Sequence, residues 1–178
     1  AGINVTCEVC PHHLVLMDED IPEDNGYWKM NPPLRASDDQ KALIEGLLDG
    51  TIDCIATDHA PHSHEEKNQS FVDSPFGIVG SEYAFQMVYT HFVKTGIFTL
   101  EQVVDWMAIK PAEIFGLNAG RLTIGGPADL AIFDLETEYV VDDQQFLSKS
   151  INTPFVGWKL YGDTTVTLAP NGNFYICP

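Results

Sequence analysis

Polar and apolar residues alternate along Ile3-Asn4-Val5-Thr6-Cys7-Glu8-Val9, the two-residue period of a β-strand. The pattern then dissolves between Pro11 and Pro33, where turn residues such as Asp24-Asn25-Gly26 interrupt any regular element. Leu43, Ile44, Leu47 and Leu48 next recur at helical spacing. Ser37 and Gln40 match a capping box at the start of that helix, and Gly50 suits its left-handed end. The run Thr51-Ile52-Asp53-Cys54-Ile55-Ala56 reads as a short buried strand. Strand, loop, helix, strand is the order of a βα repeat and predicts a parallel sheet.

Residues 63–74 turn polar and read as a surface loop of the kind that covers a site. A long helical pattern follows from Gly80 to Lys94 and stops at Gly96. Thr99 and Gln102 form a second capping box, opening a helix through Trp106 to Ile109. Pro111 suits the first turn of one more short helix, which Gly116 ends. Near Gly120 the texture changes to alternation with Gly-Pro punctuation. That alternation runs from Arg121 to Phe133, and from there strands are expected at Glu138 to Val141, Gly157 to Tyr161, Thr164 to Leu168 and Phe174 to Cys177. A domain boundary is placed near residue 118, so that 1–118 form an α/β part and 119–178 a small β part with too few strands for a complete sandwich.

Composition narrows the functional classes. The 178 residues are 44% hydrophobic and 11% aromatic, enough for a folded core. A formal charge of −17 argues against nucleic acid or an anionic membrane as partner. No run of eighteen apolar residues is present, and the four cysteines show no disulfide framework, which suits the cytoplasm. The chain opens inside a strand pattern without Met, and is read as the C-terminal part of a longer protein.

The chemistry concentrates in Ala56-Thr57-Asp58-His59-Ala60-Pro61-His62. Asp58 sits where a strand gives way to a loop, and Pro61 stops regular structure just beyond. In an α/β barrel such a strand end is the catalytic rim, where a carboxylate binds a metal, acts as a base, or does both. The same trio also reads as a plain turn, with Asp accepting backbone N–H groups. Cys7 and Cys10 form a C-x-x-C motif, but residues three apart on a strand point to opposite faces. Both thiols are therefore read as structural. Asn31, in Lys29-Met30-Asn31-Pro32-Pro33, is held by two prolines that predict extended backbone; it either caps that turn or presents its amide to a ligand.

With these segments in order, the chain resembles the C-terminal part of a dihydroorotase of the long bacterial type, within the amidohydrolase superfamily. The resemblance is carried by Cys7-Glu8-Val9-Cys10-Pro11-His12-His13-Leu14, Met30-Asn31-Pro32-Pro33-Leu34-Arg35, the stretch Ile55 to His62, and Pro75-Phe76-Gly77-Ile78-Val79-Gly80-Ser81-Glu82. Lys110 to Leu117 and Gly126-Pro127-Ala128-Asp129-Leu130 are similar to segments shared widely among amidohydrolases, and Lys149 to Phe155 is again dihydroorotase-like. Cys10 departs from the pattern, which more often has Thr or Ala there.

The resemblance implies the C-terminal portion of a metal-dependent (β/α)8 TIM barrel, with part of a small β-sandwich and a short return segment associated with the barrel. It implies zinc-dependent, reversible hydrolysis of the cyclic amide of dihydroorotate to N-carbamoyl-L-aspartate, a step of pyrimidine synthesis. Asp58 would be both zinc ligand and proton shuttle, with one or two zinc ions per full-length subunit and the other ligands upstream of this chain. Asn31, His62, Phe76 and Gly77 would contact the substrate. His59, His12 and His13 are read as packing or supporting groups, and His64 and His91 as surface or helix residues. A homodimer of the full-length protein is implied, and the 178-residue piece alone is expected to be inactive. Dihydropyrimidinase or allantoinase chemistry, a non-catalytic homologue, and a zinc or redox module on Cys7 and Cys10 are the competing readings.

Overall fold

The computed structural model describes residues 2–176. By its internal contacts the chain divides into two units. The first comprises Cys7–Ala84 and Val140–Lys159; the second comprises Phe85–Tyr139, the described residues from Leu160 onward and those before Cys7. These contact units cut the chain elsewhere than residue 118.

In the first unit, β1 (Glu8–Val9) lies parallel to β2 (Cys54–Ile55), with Glu8 opposite Cys54 and Val9 opposite Ile55. Val9, Cys54 and Ile55 are all buried, the setting in which short parallel strands occur. Between them run α1 (Pro11–Val15), single 3-10 turns at Asp18–Asp20 and Gly26–Trp28, and α2 (Ser37–Asp49). The parallel βα arrangement is the expected one. Its strands are shorter than the alternation predicted, because Ile52 N–H turns back to the Gly46 carbonyl at 2.8 Å, leaving only two residues to pair.

The start of α2 differs from its motif. Ala36, not Ser37, is the N-cap, and no side chain caps the helix. Ser37 lies inside the first turn, where Asp38 and Asp39 complement the helix dipole instead. Gly50 ends the helix at φ 81°, as expected. The chain also bends at Asn31 and Pro32, whose peptide bond is cis, where extended backbone was expected.

Residues 63–74 contain α3 (His64–Lys67) rather than loop alone. Ser63 and Glu66 close a capping box that lets four residues form a helix. The core of this unit gathers Leu14, Leu16, Met30, Leu47, Ile78, Val79 and Phe155, each at most 2% exposed.

In the second unit, α4 (Ala84–Val88) continues as a π-turn over Tyr89–Val93, so the expected helix from Gly80 starts four residues late. α5 (Leu100–Val104) opens on the Thr99–Gln102 capping box, as expected, and passes through a π-turn at Asp105–Ile109 into α6 (Lys110–Phe115). Pro111 has no N–H, and its ring crowds the turn before it, which is where the wider π-turn occurs. Phe92 stacks on Phe98 with centroids 4.7 Å apart, and Trp106 meets Phe98 edge to face at 4.9 Å.

The strands are β3 (Leu130–Asp134), β4 (Tyr139–Val140), β5 (Lys159–Leu160), β6 (Asp163–Leu168) and β7 (Phe174–Ile176). β3, β6 and β7 form an antiparallel sheet in the order β3-β6-β7, with an irregularity in register between Ile132 and Phe133. Cys177, expected to end the last strand, lies outside the described residues. Among the described residues, no helix is long and apolar enough to cross a membrane.

Candidate active site

Asp58 follows β2 at the carboxyl end of the parallel strands, with its side chain exposed. Among the described non-glycine residues it alone has positive φ, at 47°. Asp tolerates the left-handed region better than most side chains, yet the conformation is uncommon and is held here by its surroundings. Ala56 N–H donates to the Val9 carbonyl at 3.1 Å before Asp58, and Ala60 N–H donates to Ile78 at 2.9 Å after it. Between these two ties the chain turns outward.

His59 is fixed by its Nδ1, which accepts from the N–H groups of Gly80 at 3.2 Å and Ser81 at 3.3 Å, with Ser81 Oγ at 3.1 Å. Backbone N–H groups only donate, so Nδ1 is the bare nitrogen and the neutral ring carries its proton on Nε2. His59 thus joins the strand end to the segment 78–81.

The half-buried His62 donates from Nε2 to the Phe76 carbonyl at 2.9 Å, while Nδ1 faces Glu66 Oε2 at 3.8 Å. Its backbone N–H donates to Asn152 Oδ1 at 2.9 Å. Asn152 is 1% exposed and also donates from Nδ2 to the carbonyls of Ala60 at 3.0 Å and Gly77 at 3.3 Å. One amide therefore ties together the loops carrying His62 and Gly77. Its role was not read from the sequence, although it lies in the quoted Lys149 to Phe155 segment.

Gly77 has φ 104°, and a Cβ built on it would meet the Ala60 Cβ at 2.5 Å. Only glycine fits. Its N–H donates to the Lys29 carbonyl at 2.9 Å. Phe76 is 53% exposed, with its ring 4.5 Å from Lys29 Nζ. His62, Phe76 and Gly77 are thus in contact with one another's loops. Asn31 stands exposed two residues after Lys29, and the next carbonyl, that of Pro32, accepts from His13 Nε2 at 2.8 Å.

The cysteines separate. Cys7 is exposed and its thiol donates to the Thr51 carbonyl at 3.1 Å. Cys10 is buried at the N-cap of α1, and burial, helped by the Asp58 charge, pushes its thiol up to about 12. The parity argument holds only while the strand continues, and the turn into α1 ends it at Cys10. Cys10, His12 and His13 consequently bring one potential ligand atom each within 4.8 Å of one another. Thiolate and imidazole are the donors zinc prefers. Burial lowers the His12 imidazole to about 3, so that it stays neutral, and burial also lowers His13, opposed by the Pro32 carbonyl and Asp58. The electrostatic reach of Asp58 to Cys10 and His13 places this group beside the strand end. As metal donors, a single exposed carboxylate and a neighbouring sulfur-nitrogen group fit zinc chemically, but Asp58 alone offers too few ligands for a closed site.

Residues 4–172 match the model of the Amidohydrolase family. The chain is similar to the dihydroorotase of Enterococcus faecalis, 70% identical over 167 residues, which are 94% of this chain and 39% of that protein. It is 62% identical to the Bacillus caldolyticus dihydroorotase over the same shares. Among solved structures it superposes on the L-hydantoinase (dihydropyrimidinase) of Arthrobacter aurescens with a TM-score of 0.87 and 34% identity, covering 96% of this chain and 39% of that one. The chain therefore spans about two fifths of the length of these relatives.

Proposed function

The chain belongs to the amidohydrolase family, and from that premise we propose that it is the C-terminal part of a dihydroorotase. Its fold is then a portion of the TIM-barrel amidohydrolase fold, with β1 and β2 as late barrel strands. We assign the sheet β3-β6-β7 to part of the β-sandwich, keeping the 1–118 and 119–178 division for the parent protein.

The observation that carries the reading is Asp58, held at positive φ beyond the carboxyl end of a parallel strand. Zinc, when bound, lowers the pKa of a water to about 7 and polarises the amide carbonyl. Asp58 is one of its ligands in this reading, and the others lie on the parent outside this chain. The Asp58 carboxylate accepts the proton of the attacking water and hands it to the ring nitrogen as the C–N bond breaks. Asn31 and the Phe76–Gly77 backbone hold the ring in register. His62 binds the substrate carboxylate, giving up its bond to the Phe76 carbonyl for a charge-assisted one. The buried His12 and the half-buried His13, both neutral, pack behind this surface, and we assign the metal to Asp58 rather than to Cys10.

Among cyclic amides, the greater identity to dihydroorotases than to hydantoinases favours dihydroorotate. We further propose a homodimeric cytoplasmic parent that binds neither nucleic acid nor membrane, in keeping with the charge of −17 and the free thiols of Cys7, Cys10 and Cys54. The test is hydrolysis of dihydroorotate, allantoin and dihydrouracil by the full-length parent in zinc buffer. Turnover of dihydroorotate alone supports the reading. Turnover of another ring discards the roles of Asn31 and His62, and no turnover favours a non-catalytic homologue.

A further inference from the structure

Two lysines are buried next to the proposed substrate contacts, and the chemistry above uses neither. Lys67, on α3, has 0% exposure. Its Nζ donates to the carbonyls of Gly77 at 2.9 Å, Pro75 at 3.0 Å and Lys29 at 3.3 Å. An ammonium has three N–H bonds, so donors and acceptors match one for one. Lys29 Nζ donates to the carbonyls of Ser74 at 2.7 Å and Val72 at 2.9 Å. Among the described residues neither lysine forms a salt bridge.

Burying a cation without a counter-charge is costly, and a methionine would fill similar space without that cost. What Lys67 provides is a tie between two backbones. One leads from Lys29 into Asn31, and the other carries Phe76 and Gly77. They already touch through Gly77 N–H and the Lys29 carbonyl. Gly26 leaves room for the arrangement, since a Cβ there would meet the Lys67 carbonyl and the Ser74 side chain at 2.5 Å.

We propose that Lys67 is a positioning residue, clamping the Lys29 and Pro75–Gly77 backbones so that Asn31 and the Phe76–Gly77 edge face a cyclic amide in one geometry. The assignment rests on the reading of Asn31, Phe76 and Gly77 as substrate contacts. Burial, with the Lys29 cation adding to it, pulls the Lys67 ammonium down to about 8. A neutral amine has two N–H bonds for three carbonyls, so the clamp loosens as pH rises past that value. His62, Glu66, His64, Glu65 and Asp73 border the same loop, and a variant separates their effect on turnover from that of Lys67.

The experiment compares the full-length parent with its Lys67→Met variant. The expected result is a KM for dihydroorotate raised about tenfold, with kcat within about threefold, as when a substrate is held less well. The fall of kcat/KM above about pH 8 in the parent should vanish in the variant. A second measurement needs no substrate: amide exchange of residues 74–80 in the unmodified parent, corrected for intrinsic rates, should lose protection between pH 7 and pH 9. A folded Lys67→Met with unchanged KM and pH profile overturns the proposal. Equal protection at both pH values also overturns it, and this measurement decides the matter if the variant does not fold. If the parent turns over no cyclic amide, the functional reading fails, while the exchange result still decides whether the clamp exists.

Discussion

Asp58 combines an exposed carboxylate with a backbone conformation that few residues adopt. Asp58→Asn keeps a side chain that tolerates positive φ, so the parent should fold with an unchanged thermal midpoint. Its turnover should fall by about 10² to 10⁴-fold, the range for losing a general acid-base group, read by steady-state hydrolysis. Gly77→Ala acts on the fold instead. It adds a Cβ at φ 104° against Ala60, and should cost about 1–3 kcal/mol in urea unfolding of the parent. His12 makes the protein acid-sensitive. Its imidazole is lowered to about 3 when folded, so the unfolded chain binds more protons between there and about 6.5, and stability falls as pH drops through that window. His12→Gln should flatten part of that slope in denaturation series at pH 7, 5.5 and 4.5; His13 and His91, also lowered by burial, and the lowered carboxyl groups of Asp49, Glu65 and Asp134 contribute to the same slope.

At the scale of elements, legibility followed the range of the interaction. The Thr99–Gln102 capping box, Gly50 and Gly116 were readable because each acts within a few residues of itself. The Ser37–Gln40 motif has the same form and does not cap, since Ala36 takes the N-cap position. The capping box at Ser63 and Glu66 went unread because polar composition masked it, yet it starts the helix that delivers Lys67. Ser63→Ala should therefore weaken α3 by about 1 kcal/mol and raise amide exchange in residues 64–67, seen by mass spectrometry. The π-turns at Tyr89–Val93 and Asp105–Ile109 were not read from the sequence, since each is a single wide turn inside a longer helical run.

For the whole molecule, the proposed zinc centre needs more ligands than Asp58 supplies. Asp58 is one carboxylate, and Cys10 is held as a thiol by burial. The isolated 178-residue chain should accordingly bind zinc weakly and below one equivalent in a chelator-competition titration, and show no turnover. Tight one-to-one zinc abolished by Asp58→Asn would contradict this. Tight zinc abolished by Cys10→Ser would instead move the metal to the Cys10, His12 and His13 group.

The parallel βα order and the strand end at Asp58 were present in the order of residue types, because periodicity and punctuation are local properties of a chain, whereas the contact units part elsewhere than the boundary expected near residue 118. The resemblance to dihydroorotases was likewise visible in ordered motifs. Folding decided which distant groups meet: Asn152 across ninety residues to His62, Lys67 to the carbonyl of Lys29, His13 to that of Pro32. It also turned the chain into a helix at Cys10, bringing its thiol within reach of the imidazoles of both His12 and His13. A carbonyl acceptor carries no side-chain signature, so hydrogen bonds to it are written nowhere in the residue types and arise only when two backbones are packed together.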